Sequence, residues 1–242
     1  MTTTTKPIYA IIGGGIAGLT LGIALHKRNI SVKIYEAAAH FGEIGAGVAF
    51  TRNAVEAMSI CDPGVYAAFD KVVTRNQWSN KQDVWFDFLD GMKQEGQEVG
   101  HQEEEFTIKS SVGMNGVHRA AFLDEMVKLV AKDNLAEFGK RLEGIEEIEG
   151  GKLKMKFKDG TEAVADAVIG CDGIKSRVRH ILVGGDSPMA NHNYTYKYAY
   201  RGLIDMDKAV EAVGEERAKN AVMWVSSCKN PFLPQPQLEC PY

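Results

Sequence analysis

The amino-acid sequence predicts an α/β fold, in which a parallel sheet with helices is followed by a β-meander and carries an inserted, incomplete second sheet. Three patterns predict this class. The apolar run Ile8–Ile12 has the length and isoleucine content of a strand buried on both faces. A glycine-rich turn and an uncharged helical stretch follow it. A second short apolar run, Ala167–Gly170, also ends in a polar turn, which indicates a shared carboxyl edge of one sheet.

The glycine-rich turn fits the pattern G-x-G-x-x-G at Gly13, Gly15 and Gly18. The first glycine permits a tight turn, the second lets the backbone approach a pyrophosphate, and the third lets helix and strand pack closely. The helix is predicted to run to about Lys27, and its N-terminus points free N–H groups and a positive dipole end at the phosphates. The pattern therefore predicts a Rossmann-like dinucleotide-binding fold.

An acidic residue follows the second predicted strand of this fold. Residues 32–35 read as that strand, and Glu36 stands at its end, 18 residues beyond Gly18. An acid at this position accepts hydrogen bonds from the adenosine ribose hydroxyls. A carboxylate repels a 2′-phosphate, so the pattern favours FAD or NAD over NADP. The alternative is a glycine-rich loop in an unrelated α/β protein that happens to carry a surface glutamate.

The uncharged stretch 8–25 also fits the length of a signal or transmembrane segment. Its five glycines, the lack of a basic region beyond Lys6 and the lack of a small-residue cleavage site argue against that interpretation. We therefore expect no transmembrane segment.

Composition limits the classes of partner. The chain has 242 residues, a net charge of −4 and a pI near 5.9, so it lacks the basic footprint of a nucleic-acid-binding protein. Its four cysteines have no C-x-x-C spacing, which predicts a reducing, cytoplasmic location without disulfides. Its six histidines are scattered, so no metal site is predicted. The sequence leaves the oligomeric state open.

The segment between the glycine turn and residue 112 mixes loops with short elements. The glycines of residues 41–50 keep the backbone thin enough to lie alongside a flat cofactor, although an ordinary glycine-rich loop fits equally. A short helix is predicted over 53–59, ending at a turn formed by Asp62, Pro63 and Gly64. Strands are predicted over 83–89 and 106–108, where a substrate sheet would be inserted.

A helix is predicted from Ala120 to about Lys132, with apolar residues at helical spacing. Arg119 stands at its N-terminal end, where the helix dipole disfavours a cation. An anionic partner such as a flavin phosphate would offset this effect, and a surface arginine is the alternative.

The second half of the chain predicts a meander and then weaker elements. Residues 152–158 alternate between lysine and apolar side chains, which predicts a half-buried strand with its lysines in water. A turn at Asp159 and Gly160 leads into a second strand near 162–164. After Ala167–Gly170, the sequence Cys-Asp-Gly leads into a basic helix at the carboxyl edge of the sheet.

Beyond residue 190 the predicted elements are a strand, a helix and a strand. Tyr196, Tyr198 and Tyr200 alternate with other residues, which predicts a strand with one aromatic face. A helix over 205–213 and a strand over 222–225 follow. Residues 226–242 contain four prolines without hydrophobic periodicity and are predicted to be a disordered tail.

Taken in order, these features resemble the group A flavoprotein aromatic monooxygenases, and most closely the fungal salicylate hydroxylase-like enzymes. The resemblance covers about residues 7–225 and rests on the glycine fingerprint, Glu36, the E-I-G-A-G loop, His118-Arg119 and the G-C-D-G-I-K-S-R-V-R motif. It implies three regions: a FAD-binding domain over 1–180 with an insertion at about 70–115, part of a substrate-domain sheet over 181–225, and the tail over 226–242.

The resemblance also implies roles for individual residues. Gly13, Gly15 and Gly18 would hold the pyrophosphate and Glu36 the ribose, while the backbone near Gly47 and Ala49 would lie beside the flavin. Arg119 would contact the cofactor, and Asp172 would serve both FAD and the passing nicotinamide cofactor. Arg201, in the sequence Y-R-G, would be the active-site arginine; from the residues alone, the alternative is a strand arginine that faces solvent.

One family motif is missing. The third motif of these enzymes, Gly-Asp followed by Ala-Ala-His and a proline, binds the ribityl chain of FAD. Residues 185–188 read Gly-Asp-Ser-Pro but lack that continuation, so we interpret them as a turn. The resemblance therefore points to a C-terminally truncated member with impaired activity. Cys171, where the family often has alanine, is interpreted as a buried small residue.

The function implied is an FAD-dependent monooxygenase that hydroxylates a small aromatic substrate, such as a phenol or a hydroxybenzoate. NADH or NADPH would be the transient reductant. Two alternatives stay open: a module that binds FAD or another adenine nucleotide without catalysis, and an NAD-linked oxidoreductase that uses only the first fingerprint.

Overall fold

The computed structural model describes residues 6–40, 47–91, 104–130, 133–197, 200 and 202–225. These residues divide into two compact units. The first unit contains the described parts of Met1–Val48, Ala54–Val73 and Val117–Tyr198. The second contains those of Ala49–Asn53, Thr74–Gly116 and Ala199–Tyr242.

The strands and helices follow each other along the chain in this order. The strands are β1 Ile8–Ile12, β2 Ser31–Tyr35, β3 Gly47–Ala49, β4 Val73–Arg75, β5 Val84–Asp90, β6 Glu104–Lys109, β7 Asn115–His118, β8 Ala136–Glu137, β9 Leu142–Ile148, β10 Lys152–Phe157, β11 Glu162–Ala165, β12 Ala167–Gly170 and β13 Val222–Val225. The helices are α1 Ile16–Lys27, α2 Arg52–Cys61, α3 Pro63–Val72, α4 Arg119–Lys128, α5 Arg177–Val183, α6 Met206–Val213 and α7 Glu215–Lys219. Short 3₁₀ turns lie at Ser79–Lys81 and Glu149–Gly151.

The first unit is built on a parallel sheet with the strand order β12-β1-β2-β8. Strand β1 lies between β12 and β2, and its last residues, Ile11 and Ile12, are buried. Helix α1 packs against β1 and β2 of this sheet, and its residues Leu19 and Ile23 are buried. The predicted order of strand, glycine turn, helix and strand is confirmed: β1 and the end of α1 lie where predicted, and β2 begins one residue earlier than predicted.

A three-stranded antiparallel meander, β9-β10-β11, belongs to the same unit. Met155 and Phe157 of β10 point into a core cluster that includes Ile12 and Tyr35 of the parallel sheet. The predicted hairpin and the half-buried strand are confirmed. The β10 lysines lie on the other face, where Lys154 and Lys156 pair with Glu146. Strand β9 was not predicted, because the glutamates in its sequence, Leu-Glu-Gly-Ile-Glu-Glu-Ile, interrupt a regular alternation of apolar residues.

The second unit contains the sheet β13-β5-β6, in which β5 pairs parallel with β13 and antiparallel with β6. Phe88 of β5 and Phe106 of β6 stack with their ring centroids 4.4 Å apart. On β5, the buried carboxylate of Asp87 accepts hydrogen bonds from the Lys81 ammonium at 2.7 Å and the Thr107 hydroxyl at 2.6 Å. The predicted strands over 83–89, 106–108 and 222–225 are confirmed.

Two predictions of local structure are wrong. The helix predicted over 53–59 is confirmed as α2, which ends at Cys61, before Asp62. The turn predicted at Asp62, Pro63 and Gly64 is instead the start of α3: the Asp62 side chain accepts a hydrogen bond from the Gly64 N–H at 2.7 Å, and Pro63 occupies the first helical position. The aromatic strand is also absent from its described residues. Tyr196 has φ of +59°, which a strand does not allow, and it is 87% exposed. Tyr198 and Arg201 lie outside the described residues.

The two units of the structure have boundaries other than residues 180 and 225. The predicted division of the chain into domains at those residues stays a prediction. Residues 181–197 group with the first unit. The predicted tail over 226–242 lies outside the described residues. Within the part of the chain that the structure describes, no helix combines the length and apolarity needed to cross a membrane.

Candidate nucleotide-binding site

A cavity of about 600 Å³ opens at the carboxyl edge of the parallel sheet in the first unit. Its wall combines the ends of β1, β2 and β12 with the start of α4 and the segment that leads into β9. The lining residues used below are Gly13, Gly14, Gly15, Glu36, His40, Arg119, Lys140, Arg141, Cys171, Asp172, Lys175 and Arg177. This is the place where α/β sheets bind ligands, because the chain leaves each strand there and enters a helix.

The glycine turn is shaped by close backbone packing. Gly13 has φ of +102°, and a β-carbon at this residue would overlap the carbonyl group of Cys171. A β-carbon at Gly18 would overlap the carbonyl oxygen of Gly13 itself. These two positions therefore need glycine for the turn to pass between α1 and β12. Gly18 lies beneath the turn and does not line the cavity.

Packing does not require glycine at residue 15. A β-carbon there would meet no backbone, and its nearest neighbour would be Nη2 of Arg119 at 3.5 Å. Gly15 is also the N-cap of α1, where no side chain caps the helix and the first turn has no acidic residue. Uncapped N–H groups and the Arg119 guanidinium thus face one space that a side chain would fill, which suits an anionic ligand.

Glu36 extends from the end of β2 to the glycine turn. Its Oε2 accepts a hydrogen bond from the Gly14 N–H at 2.6 Å, and its Oε1 accepts one from the Ala38 N–H at 2.7 Å. The backbone of Glu36 is also fixed, because its N–H donates to the Glu137 carbonyl and its carbonyl accepts from the Lys140 N–H, both at 2.8 Å. The carboxylate therefore points into the groove above the glycines.

Asp172 organises the turn that follows β12. Its Oδ2 accepts hydrogen bonds from the N–H groups of Arg177 at 2.6 Å and Val178 at 3.1 Å, while Oδ1 accepts from the Ser176 hydroxyl at 2.5 Å. The Ser176 hydroxyl in turn accepts from the Arg179 N–H at 3.0 Å, which caps α5. Asp172 thus holds this part of the cavity wall in place through its side-chain carboxylate.

The cavity wall carries more positive than negative side chains. The basic and imidazole groups are His40, Arg119, Lys140, Arg141, Lys175 and Arg177, against the carboxylates of Glu36 and Asp172. Lys140 is tied to Asp159, and hydrogen bonds from Lys140 and Thr161 lower the pKa of Asp159 to about 2. An electropositive wall favours a ligand with phosphate groups.

Cys171 lies at the floor of the cavity, next to the glycine turn. Burial raises the pKa of its thiol, and the neighbouring Asp172 carboxylate raises it further. The neutral thiol is a poor nucleophile. This agrees with the interpretation of Cys171 as a small packing residue.

The structure brings most of the predicted cofactor residues together. Gly13, Gly15, Glu36, Arg119 and Asp172 line one cavity. Gly47, on β3, is not among the lining residues, and Ala49 belongs to the second unit. Arg201 lies outside the described residues. The described ranges contain no group of three His, Cys, Asp or Glu side chains suited to a metal ion.

Sequence reasoning missed Lys140 and Arg141. They precede β9, a strand that was not predicted, and nothing in their pattern separates them from other surface cations.

Comparison with known proteins gives the same fold. Residues 11–90 match the model of the NAD(P)-binding Rossmann-like domain family. A solved structure described as a salicylate hydroxylase substrate complex has 27% sequence identity and a TM-score of 0.72, and the match covers 92% of this chain and 51% of that one. The predicted fold class, a Rossmann-like α/β fold, is confirmed.

Curated fungal proteins match most of the chain. The FAD-dependent monooxygenase pigN of Monascus ruber is 47% identical over 213 residues, which is 86% of this chain and 47% of pigN. The 6-methylsalicylate 1-monooxygenase atA of Aspergillus terreus is 45% identical over 230 residues, which is 93% of this chain and 50% of atA. The chain spans about half the length of the curated relatives it matches.

Proposed function

Because this chain is a sequence relative of the fungal FAD-dependent monooxygenases, as its motifs predicted, we propose that it binds FAD and serves the hydroxylation of a small aromatic compound. NADH or NADPH is the proposed reductant and dioxygen the co-substrate. The observation that carries the proposal is the meeting of the uncapped α1 N-terminus, the Glu36 carboxylate and Arg119 at one cavity.

The residues of the cavity fit the adenosine diphosphate half of FAD. The N–H groups of the first turn of α1, together with Arg119, would hold the diphosphate, and Gly15 leaves the space for it. Glu36 would accept hydrogen bonds from the ribose hydroxyls. Each ionised carboxylate oxygen has two lone pairs, so the two backbone bonds of Glu36 leave capacity for them.

Bound FAD would supply the redox chemistry, taking reducing equivalents from the nicotinamide and activating dioxygen. The chain's own residues would bind and orient. Asp172 is proposed to hold the turn that meets both FAD and the passing nicotinamide cofactor, and the backbone near Gly47 and Ala49 to lie beside the flavin. Arg201 is proposed to bind an acidic substrate or to stabilise negative charge that develops on it. The sequence-based expectation of a cytoplasmic location stays a prediction.

Spectroscopy and turnover test the proposal. We expect protein purified with added FAD to keep a flavin absorbance band after gel filtration, and to oxidise NADH or NADPH faster when a salicylate or a phenol is added. Arg201→Ala should retain the band and lose the stimulation. Comparison with a full-length relative in the same assay tests the prediction of impaired activity.

Two other outcomes would replace this function. Colourless protein that retains only adenine nucleotides would indicate a binding module without catalysis. Reduction of NAD by a substrate in the absence of flavin would indicate an NAD-linked oxidoreductase, which the match to an NAD(P)-binding family model favours as the second candidate. Glu36→Ala should weaken FAD binding by about 1–3 kcal/mol if its ribose hydrogen bonds form.

A further inference from the structure

The Glu36 carboxylate joins two loops. One oxygen accepts the N–H of Gly14, in the middle of the glycine turn, at 2.6 Å. The other accepts the N–H of Ala38, in the segment after β2, at 2.7 Å. Both distances are typical of charge-assisted hydrogen bonds, which are stronger than bonds between neutral groups.

We propose that Glu36 is a positioning residue for the glycine turn, in addition to its role as a ribose acceptor. This inference rests on the proposed nucleotide function of the cavity. Three consecutive glycines carry no side chain that could anchor the turn, and glycine loses more conformational freedom on ordering than any other residue. The carboxylate fixes the middle glycine from outside the turn.

The position of Glu36 makes it suitable for this task. Its backbone is held on both sides by bonds to Glu137 and Lys140, so the carboxylate extends from a rigid point of the sheet. The Gly14 N–H is committed to Glu36, which assigns phosphate binding to the N–H groups at the start of α1. A turn ordered before binding lowers the conformational cost that the ligand would otherwise meet.

Inorganic pyrophosphate separates positioning from ribose contact, because it has phosphates but no ribose. If Glu36 touched only the ribose, removing its negative charge would leave the affinity for pyrophosphate unchanged or raise it. If Glu36 positions the turn, Glu36→Ala should lower that affinity by at least about fivefold. Glu36→Asp is the second variant, since it keeps the charge but is too short to reach both N–H groups.

Glu143→Ala is the matched control. Glu143 is an exposed acid next to Leu142 of the cavity wall, and its backbone carbonyl, which accepts from Arg177, survives the substitution. Isothermal titration with pyrophosphate should show weaker binding for both Glu36 variants and not for this control. Wild-type affinity in Glu36→Ala and Glu36→Asp would overturn the proposal.

Amide hydrogen exchange of the nucleotide-free protein gives a readout that is independent of ligand binding. We expect the Gly14 amide to exchange faster in Glu36→Ala than in the wild type, while amides of β10 keep their rates. Retention of FAD decides the proposed nucleotide function separately. Whether or not the wild-type chain binds free pyrophosphate, this exchange decides the inference: an unchanged Gly14 rate overturns the positioning role.

Discussion

Gly18 packs directly on the carbonyl oxygen of Gly13, so closely that a β-carbon at residue 18 would overlap this oxygen. The β-carbon would be attached to helix α1 and would overlap a backbone atom of the turn, so no side chain could rotate away to relieve the overlap. Helix α1 would have to move away from the turn. We expect Gly18→Ala to lower the free energy of unfolding by about 3 kcal/mol or more. Urea denaturation measures this, and a wild-type midpoint would show that the helix and turn are less tightly packed than described.

Gly15→Ala is expected to separate binding from folding. The new methyl group would meet no backbone and Gly15 has φ of −69°, so the stability should stay within about 0.5 kcal/mol of wild type. The methyl group would occupy the space proposed for the diphosphate, and we expect the affinity for FAD and for ADP to fall at least about tenfold. A variant that binds both ligands normally would place the diphosphate elsewhere.

The ion pair of Lys81 and Asp87 in the second unit is expected to be costly to break. Only 3% of the Asp87 side chain and 11% of the Lys81 side chain are exposed. Asp87→Ala should remove this close partner of a buried ammonium, which keeps the longer pairing with Glu216 at 3.9 Å, and we expect it to destabilise the protein by about 3 kcal/mol. The exposed pair of Lys109 and Asp83 offers the control: Asp83→Ala should hardly move the urea midpoint.

Asp159 is expected to make the protein more sensitive to acid. Hydrogen bonds from Lys140 and Thr161 lower its pKa to about 2, below the ordinary value of 3.8. A carboxyl group with a depressed pKa in the folded state stabilises that state above its unfolded pKa, and the contribution is lost as the pH falls through the folded pKa. The stability difference between wild type and Asp159→Asn should therefore be constant above pH about 5 and shrink between pH about 4 and 2. Thermal melts across this range measure it, and a difference independent of pH would contradict the described bonds.

The sequence predicted those helices and strands in which the pattern of apolar and polar residues follows the burial of each face. In β1, α1 and β2, the apolar runs and the glycine spacing reflect burial on both faces. In β10, the alternation of lysine and apolar residues reflects one solvent-exposed face and one buried face. Glu36 was predicted to be a site residue because an acid at the end of this strand binds ribose hydroxyls in dinucleotide-binding folds.

Other features depend on contacts that a local pattern does not contain. Glu146 of β9 is typical of a loop residue in the sequence, and only the structure shows that Lys154 and Lys156 of β10 pair with it. Pro63 is read as a breaker unless Asp62 is seen to cap the helix that it begins. Tyr196 shows the converse, because an alternation of tyrosines without burial does not make a strand. Nothing in the sequence indicated the hydrogen bond that the Gly14 N–H donates to Glu36 over 22 positions.

The parallel pairing of β1 with β12 delays the completion of this sheet during synthesis, because the two strands are far apart in the sequence. The Ile8 N–H bonds to the Asp166 carboxylate across 158 positions, and the Cys171 carbonyl that backs Gly13 follows a few residues later. At ribosomal speed these partners arrive roughly 10–30 seconds after β1 has been made. Until then, the edge of β1 that pairs with β12 has no partner strand. A chaperone would therefore protect the nascent chain most during this interval.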